Sequence, residues 1–476
     1  MAYCKEGPFP TTESAKACNL SPGGSLPFDV LSQIFLECLP ENGFPTPSTK
    51  VAPTLLTRIC RHWRGVALRT PPLWARLDLG DYPTNTKADY LTDALAAEEW
   101  KIRAGSCLLS YRLWYDRPGL AWTGVLDAIL PHHKQWKHLE GHLPVLACGW
   151  IHSAISRGAP NLQYLEIDGD DSHSSSTELP ILGFPKLHSL FLKLCGFMPI
   201  FADTAAPLLR TVVLNGSCDV TLDDYWRVLQ HCPNLEIFAG YCEARKPLTL
   251  HSALKTSKFL ESRHLKTLYL MVHSIHSGQL LDHLDAPGLD RLELADYHTD
   301  RLPGPLIRYP QLRSFFIRSG AQLTSMNIDV DITEDEFLAS LLHLPALISL
   351  ELHDKGLSMT AGILDTLVMQ PMNPQIHIIP LLECITFTNF RQWKSGSIAN
   401  IAVSRWGGIN GTGSSTTTTN EPSVSWERRL RCIRLRAYSM ITPCSIAEIP
   451  NIKACIQEGL EVTEVYAKDH RFSASS

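Results

Sequence analysis

The sequence predicts an α/β fold: a short all-helical segment near the N-terminus, then a curved right-handed coil of parallel strands. Three observations predict it. A motif P-x-L-x-x-L-x-L recurs from residue 160 onward. Stretches with apolar residues at helical spacing separate its copies, and residues 26–68 carry two further helical runs ahead of it.

Composition narrows the possible functions. The 476 residues are 44% hydrophobic and 19% charged, with a formal net charge of -5. That balance belongs to a folded chain. It supplies no global basic field, so nucleic acid is not expected as a partner. The 14 cysteines are scattered without a C-x-x-C pair, against zinc fingers and redox motifs. MAYCKEGPFP has no basic region followed by an apolar run, and no apolar stretch reaches about 18 residues. Neither a secretory leader nor a membrane span is expected, and the expected location is cytoplasmic or nuclear. The cysteines are then thiols, and the N-x-S/T triplets at Asn19, Asn215 and Asn410 are chance matches.

Residues 1–24 read as a flexible tail punctuated by Pro22-Gly23-Gly24. The next segment, 25–79, opens with a helix over 26–39, where Val30, Leu31, Ile34, Phe35 and Cys38 recur at helical spacing. Four prolines mark 40–53 as a loop. A second helix is predicted over 54–68, stopped by Thr70-Pro71-Pro72, and LWARLDL alternates like a short strand. Residues 80–155 are read as a connecting and capping segment.

The repeat region spans 156–390. Its clear copies are PNLQYLEI (160–167), PKLHSLFL (185–192), PNLEIFAG (233–240), PGLDRLEL (287–294), PQLRSFFI (310–317) and PALISLEL (345–352). Weaker ones are PLLRTVVL (207–214), HLKTLYL (264–270), LLECITF (381–387) and RLRCIRL (429–435). Most spacings lie near the leucine-rich-repeat period of roughly 20–29 residues. Three apolar residues per copy need a shared core, which stacked parallel strands with covering return segments supply. TLDDYWRVLQHC puts Leu222, Tyr225, Trp226 and Leu229 on one helical face. In TEDEFLASLLHL, Thr333 and Glu336 fit a capping box. Residues 391–426, with the run GGINGTGSSTTTTNEPS, read as a low-complexity insertion. A last repeat and tail fill 427–476.

The first helical segment carries Leu26-Pro27, Val30-Leu31, Ile34-Phe35 and Leu39-Pro40, then Ile59-Cys60, Trp63-Arg64, Ala67-Leu68, Thr70-Pro71 and Leu73-Trp74. In these residues 26–79 resemble the F-box common among fungal F-box proteins. CLLSYRLW (107–114) and HHKQWKHLEGHLP (132–144) look like the stretch such proteins place before their repeats. The resemblance implies docking to a Skp-type adaptor of a cullin–RING ubiquitin ligase, through Leu26, Pro27, Val30, Leu31, Ile34, Phe35, Leu39, Ile59 and Trp63, with a protein substrate on the repeats. Size argues the same way: about 45 helical residues bury too little core to stand alone and leave an apolar patch for a partner. Trp63 and Trp74 are the candidate aromatic anchors.

If the strands stack in register, Tyr164, Phe191, Lys193, Tyr269, Arg291, Phe316, Arg318 and His353 face outward on a concave surface and are the candidate substrate contacts. Early rungs carry acids and the last copy carries Arg434 and Arg436, which fits a partner of opposite polarity. No P-loop, H-E-x-x-H or G-x-S-x-G pattern occurs. The cluster His132, His133, His138 and His142 lacks a completing ligand set. No catalytic residue, metal or cofactor is therefore expected. The competing expectation is a leucine-rich-repeat scaffold outside any ligase.

Overall fold

The computed structural model describes residues 26–41, 43–80, 87–115, 122–169, 177–215, 220–241, 259–272, 274–296, 309–330, 332–353, 361–369, 378–388, 395–406, 430–437 and 445–466. These fall into two compact units, one ending at 137 and the other starting at 138. The expected tail 1–24 lies outside the described residues.

In the first unit, α1 (Phe28–Glu37) starts after Pro27, whose fixed φ and missing N–H suit that place, and Asp29 sits in the first turn where a negative charge favours the helix dipole. Leu31 and Phe35, four apart, form its buried side. The helix expected over 54–68 is interrupted. A 3₁₀ turn, Leu55–Arg58, comes first, and α2 (Arg61–Leu68) begins only after Cys60. Cys60 is extended, and its Sγ accepts the Trp63 N–H at 3.4 Å, capping the new helix. A 3₁₀ turn, Pro71–Trp74, leads into β1 (Arg76–Leu79), followed by α3 (Lys87–Ala104), β2 (Leu109–Trp114) and α4 (Thr123–Ile129). β1 pairs with β2 in parallel, Leu77 opposite Tyr111. The proline-rich loop is tied down: Arg76 donates to the Gly43 carbonyl at 2.6 Å and lies over the Phe44 ring, and the Asp78 N–H donates to the Pro45 carbonyl at 3.0 Å.

The second unit is a parallel sheet with helical or extended returns. Its elements are β3 (Trp136–Leu143), α5 (Val145–Ile155), β4 (Tyr164–Gly169), β5 (Thr177–Pro180), β6 (Ser189–Lys193), β7 (Phe197–Ile200), β8 (Thr211–Asn215), α6 (Leu222–His231), β9 (Ile237–Tyr241), β10 (Leu260–Glu261), β11 (Thr267–Met271), α7 (Ser274–His283), β12 (Leu284–Asp285) and β13 (Arg291–Ala295). Then come α8 (Pro310–Ser319), β14 (Ser325–Asp329), α9 (Glu334–Leu341), β15 (Ser349–His353), α10 (Ala361–Thr366), β16 (Cys384–Thr388), α11 (Ser395–Trp406), β17 (Cys432–Ala437), α12 (Pro450–Gln457) and β18 (Glu461–Tyr466). The main sheet runs β3-β4-β6-β8-β9-β11-β13-β14-β15-β16-β17-β18, so strand order follows chain order, while β5 pairs with β7 and β10 with β12. The chain thus advances one strand per turn of a solenoid-like α/β coil.

Register explains why this sheet holds. Leu165, Leu190, Val212 and Phe238 stand opposite one another along one row, and Leu268, Leu292, Met326, Leu350, Ile385 and Ile433 extend it. All are buried. A slip of one residue would turn every one of them to the opposite face. Among the helices, α6 forms the expected amphipathic return, with Thr221 and Asp224 closing a capping box.

Three further expectations are corrected. PQLRSFFI is not a strand but the helix α8. Leu312, Phe315, Phe316 and Ser319 bury at helical spacing, Pro310 fits the first turn and Gly320, at φ 57°, ends it in the left-handed region. The strand of that turn is β14, whose Leu323-x-x-Met326-x-Ile328 pattern lacks the leading proline. Thr333 precedes α9 without a side-chain cap hydrogen bond, so the capping box does not form there. Part of the expected insertion 391–426 is the helix α11, while 407–426 lies outside the described residues.

Candidate functional site

Helix α1 carries two apolar stripes. Leu31 and Phe35 face the interior, where the Phe35 ring meets the half-buried Trp63 at 5.0 Å. Pro27, Val30, Ile34 and Cys38 recur at the three- and four-residue spacing of the other stripe and are all exposed, Val30 at 46% and Ile34 at 41%. A second bare series, Val51, Leu55 and Ile59, is spaced by fours on the following segment, with Ile59 52% exposed. Isolated surface leucines need no explanation, but these apolar residues are left bare at helical spacing, as a stripe rather than as scattered single exposures.

The adaptor set read from the sequence therefore splits. Pro27, Val30, Ile34 and Ile59 are available to a partner. Leu31 and Phe35 are core, because the helical turn of about 100° per residue points them away from Ile34. Leu26, Leu39 and Trp63 are half-buried at the margin. Trp74 is not an anchor: it is buried, donates its indole N–H to the Ala67 carbonyl at 2.9 Å and meets Trp100 edge-on. Sequence reading missed Leu91, Leu95 and Ile102, exposed on α3. The signal lies in KADYLTDALAAEEWKIRA, where these three fall off the stripe that Ala97, Trp100 and Ala104 bury.

In the second unit, the alternate, outward residues of the strands form ladders. His138 stacks flat on Tyr164 at 4.1 Å, and Tyr164 leans on Phe191 at 5.3 Å. The Tyr164 hydroxyl donates to Glu166, whose other oxygen accepts from Lys193 Nζ at 2.7 Å. His142 comes within 3.6 Å of Asp168. Three rungs thus present an aromatic run beside a mostly acidic, partly paired row.

Further along, Tyr241 and Tyr269 meet at 4.5 Å. Tyr269 stands opposite Glu293, Glu293 opposite Asn327 and Asn327 opposite Glu351. Burial, and then the charge of Glu351, push the Glu293 carboxyl up to about 7, while Asn327 donates to it at 2.9 Å. Burial pushes Glu351 up as well, but His353, Arg436 and Thr388 outweigh it and hold Glu351 below its ordinary value. Thr388 donates to Glu351 at 3.0 Å and Arg436 at 3.2 Å, and His353 lies between Glu351 and Asp329.

Of the substrate residues read from the sequence, Tyr164, Phe191, Lys193, Tyr269, Arg291 and His353 share this outward face. Phe316 and Arg318 do not, because they lie on α8. Phe316 is buried, and the Arg318 guanidinium donates to the Leu281 and Leu284 carbonyls. Glu293 and Glu351 stand at outward strand positions of the repeat, as the alternation of the motif implies, whereas Asn327 was missed because its strand, β14, lacks the leading proline of the motif. Among the described residues no three metal-ligating side chains converge, and no helix is long and apolar enough to cross a membrane.

No protein-family model matches the chain, and no curated protein sequence matches it. Among solved structures it is similar to the crystal structure of a Bacteroides fragilis protein, at 13% identity and a TM-score of 0.32, over 83% of this chain and 86% of that one.

Proposed function

We propose that this chain is the substrate-recognition subunit of a Skp–cullin–F-box ubiquitin ligase, acting in the cytoplasm or nucleus. The first unit, as an F-box, docks a Skp-type adaptor, and the leucine-rich-repeat-like face of the second unit takes a protein substrate. One observation carries the reading: α1 spends one apolar stripe on its own core and leaves the other, with Val30 and Ile34, bare. Val30 and Ile34 are already about half covered, so burying the rest of each in an interface contributes about 1 kcal/mol per side chain. The chain's part in the reaction is proximity: holding adaptor and substrate at once raises the effective concentration of the substrate at the ligase.

The test is titration of the full chain with a purified Skp-type adaptor. Saturable binding that falls at least about 100-fold in a Val30→Asp, Ile34→Asp double variant with unchanged circular dichroism supports the reading. Equal affinity of variant and parent, or no binding by a folded parent, overturns it. The second reading is a protein-interaction scaffold outside any ligase. It is favoured by the aromatic ladder His138–Tyr164–Phe191, which lies wholly within the second unit and needs no adaptor to bind a protein. Retained partner binding in a chain that ignores the adaptor would select it.

A further inference from the structure

Cys384 and Cys432 are direct partners on β16 and β17, which run in parallel. Adjacent strands lie about 4.8 Å apart, inside the Cα separation of about 4.4–6.8 Å that a disulfide spans. The two side chains leave the sheet on the same side, and their sulfurs lie 2.8 Å apart, closer than unbonded sulfur atoms ordinarily rest. Both are free thiols. Their immediate row continues with Ser325 and Ser349 on one side and Glu461 on the other, so they occupy polar, outward positions. Cys148, Cys195, Cys232 and Cys455 are buried, and none of them has a cysteine as its strand partner.

We infer that Cys384 and Cys432 form a thiol modification site, a dithiol that a disulfide oxidant of the glutathione class converts into a cross-strand disulfide. The chemistry balances in two exchanges. The Cys384 thiolate attacks one sulfur of the oxidant, forming a mixed disulfide and releasing one glutathione thiolate. The Cys432 thiolate then attacks the Cys384 sulfur and expels the second. Two protein thiols are oxidised, one oxidant disulfide is reduced to two thiols, and the two cysteine protons go to solvent and to the leaving thiolates.

The order of attack follows from the surroundings. Cys384 is half-exposed and Cys432 buried. Burial, and then the contact with Cys384, push the Cys432 thiol up to about 12. The accessible Cys384 therefore meets the oxidant, and Cys432 resolves the mixed disulfide from within contact distance. The product staples two neighbouring strands of the outward face and closes a loop over residues 385–431. The site is independent of what either unit binds.

The experiment uses the folded full chain, incubated with oxidised glutathione, alkylated and mapped by mass spectrometry. The expected result is loss of alkylation at both Cys384 and Cys432, with a linked peptide pair about 2 Da lighter than the two thiol peptides. In Cys432→Ser, a mixed disulfide should accumulate at Cys384. Exposed Cys38 and Cys60 report that the oxidant acts. The inference is overturned if Cys384 and Cys432 stay fully alkylated while Cys38 and Cys60 are modified, or if Cys384 pairs with a different cysteine. The measurement on the unsubstituted protein decides the matter even if the variant does not fold.

Discussion

Ile34 and Phe35 are consecutive residues of α1, yet Ile34 is 41% exposed and Phe35 0%. One helical step separates a side chain held against Trp63 from one that touches solvent. Two substitutions at adjacent positions should therefore have opposite consequences. Phe35→Ala should lower stability by about 3–5 kcal/mol through cavity formation. On the proposed function, Ile34→Asp should leave stability within about 0.5 kcal/mol and weaken adaptor binding. Urea unfolding beside adaptor titration separates the two.

Asp93 and Tyr115 form a buried pair within the first unit, the Tyr115 hydroxyl donating to the carboxylate at 2.9 Å. Removing one partner of a buried polar group costs roughly 1–3 kcal/mol. Tyr115→Phe should lower stability by that amount, read as a shift of the denaturant midpoint at constant slope.

Arg405 is buried and donates to the carbonyls of Leu367, Ile378 and Ile379. Its burial lowers the guanidinium to about 10, still charged at neutral pH. Arg405→Leu leaves three carbonyls without this donor, and a cost of about 3 kcal/mol or more is expected. Hydrogen exchange in 378–388 and 395–406 should rise in the same variant.

Glu293 gives a pH test. Its folded carboxyl, raised to about 7 from an ordinary 4.5, binds a proton that the unfolded chain has already lost between those values. Stability from this group is complete below the unfolded value and is lost as pH rises through about 7. Glu351 runs the other way: its lowered value contributes stability above its ordinary range that is lost on acidification. Glu293→Gln should therefore remove a fall in stability between about pH 5 and about pH 8, read by chemical unfolding at each pH. An unchanged slope would mean that Glu293 is ionised in the fold.

The sequence by itself determined the alternation of strand and return, the buried leucines of the repeat and the two stripes of α1, because each is written in local periodicity. Leu162, Leu187, Leu209 and Leu235 are all core as the motif requires. Only the tertiary structure decided which stripe of α1 is spent on the core, since Leu31 and Ile34 are equally apolar and only packing against α2 separates them. It also decided the state of 310–317. There the motif with its proline matched, yet Leu312, Phe315, Phe316 and Ser319 bury at the three- and four-residue spacing of a helix, while Leu323 and Met326 supplied the strand core instead. The coupled outward groups Glu293 and Glu351, and the partners Cys384 and Cys432, stood far apart in the chain. Parallel register alone brought them together, and register is set by the whole buried face rather than by any one strand.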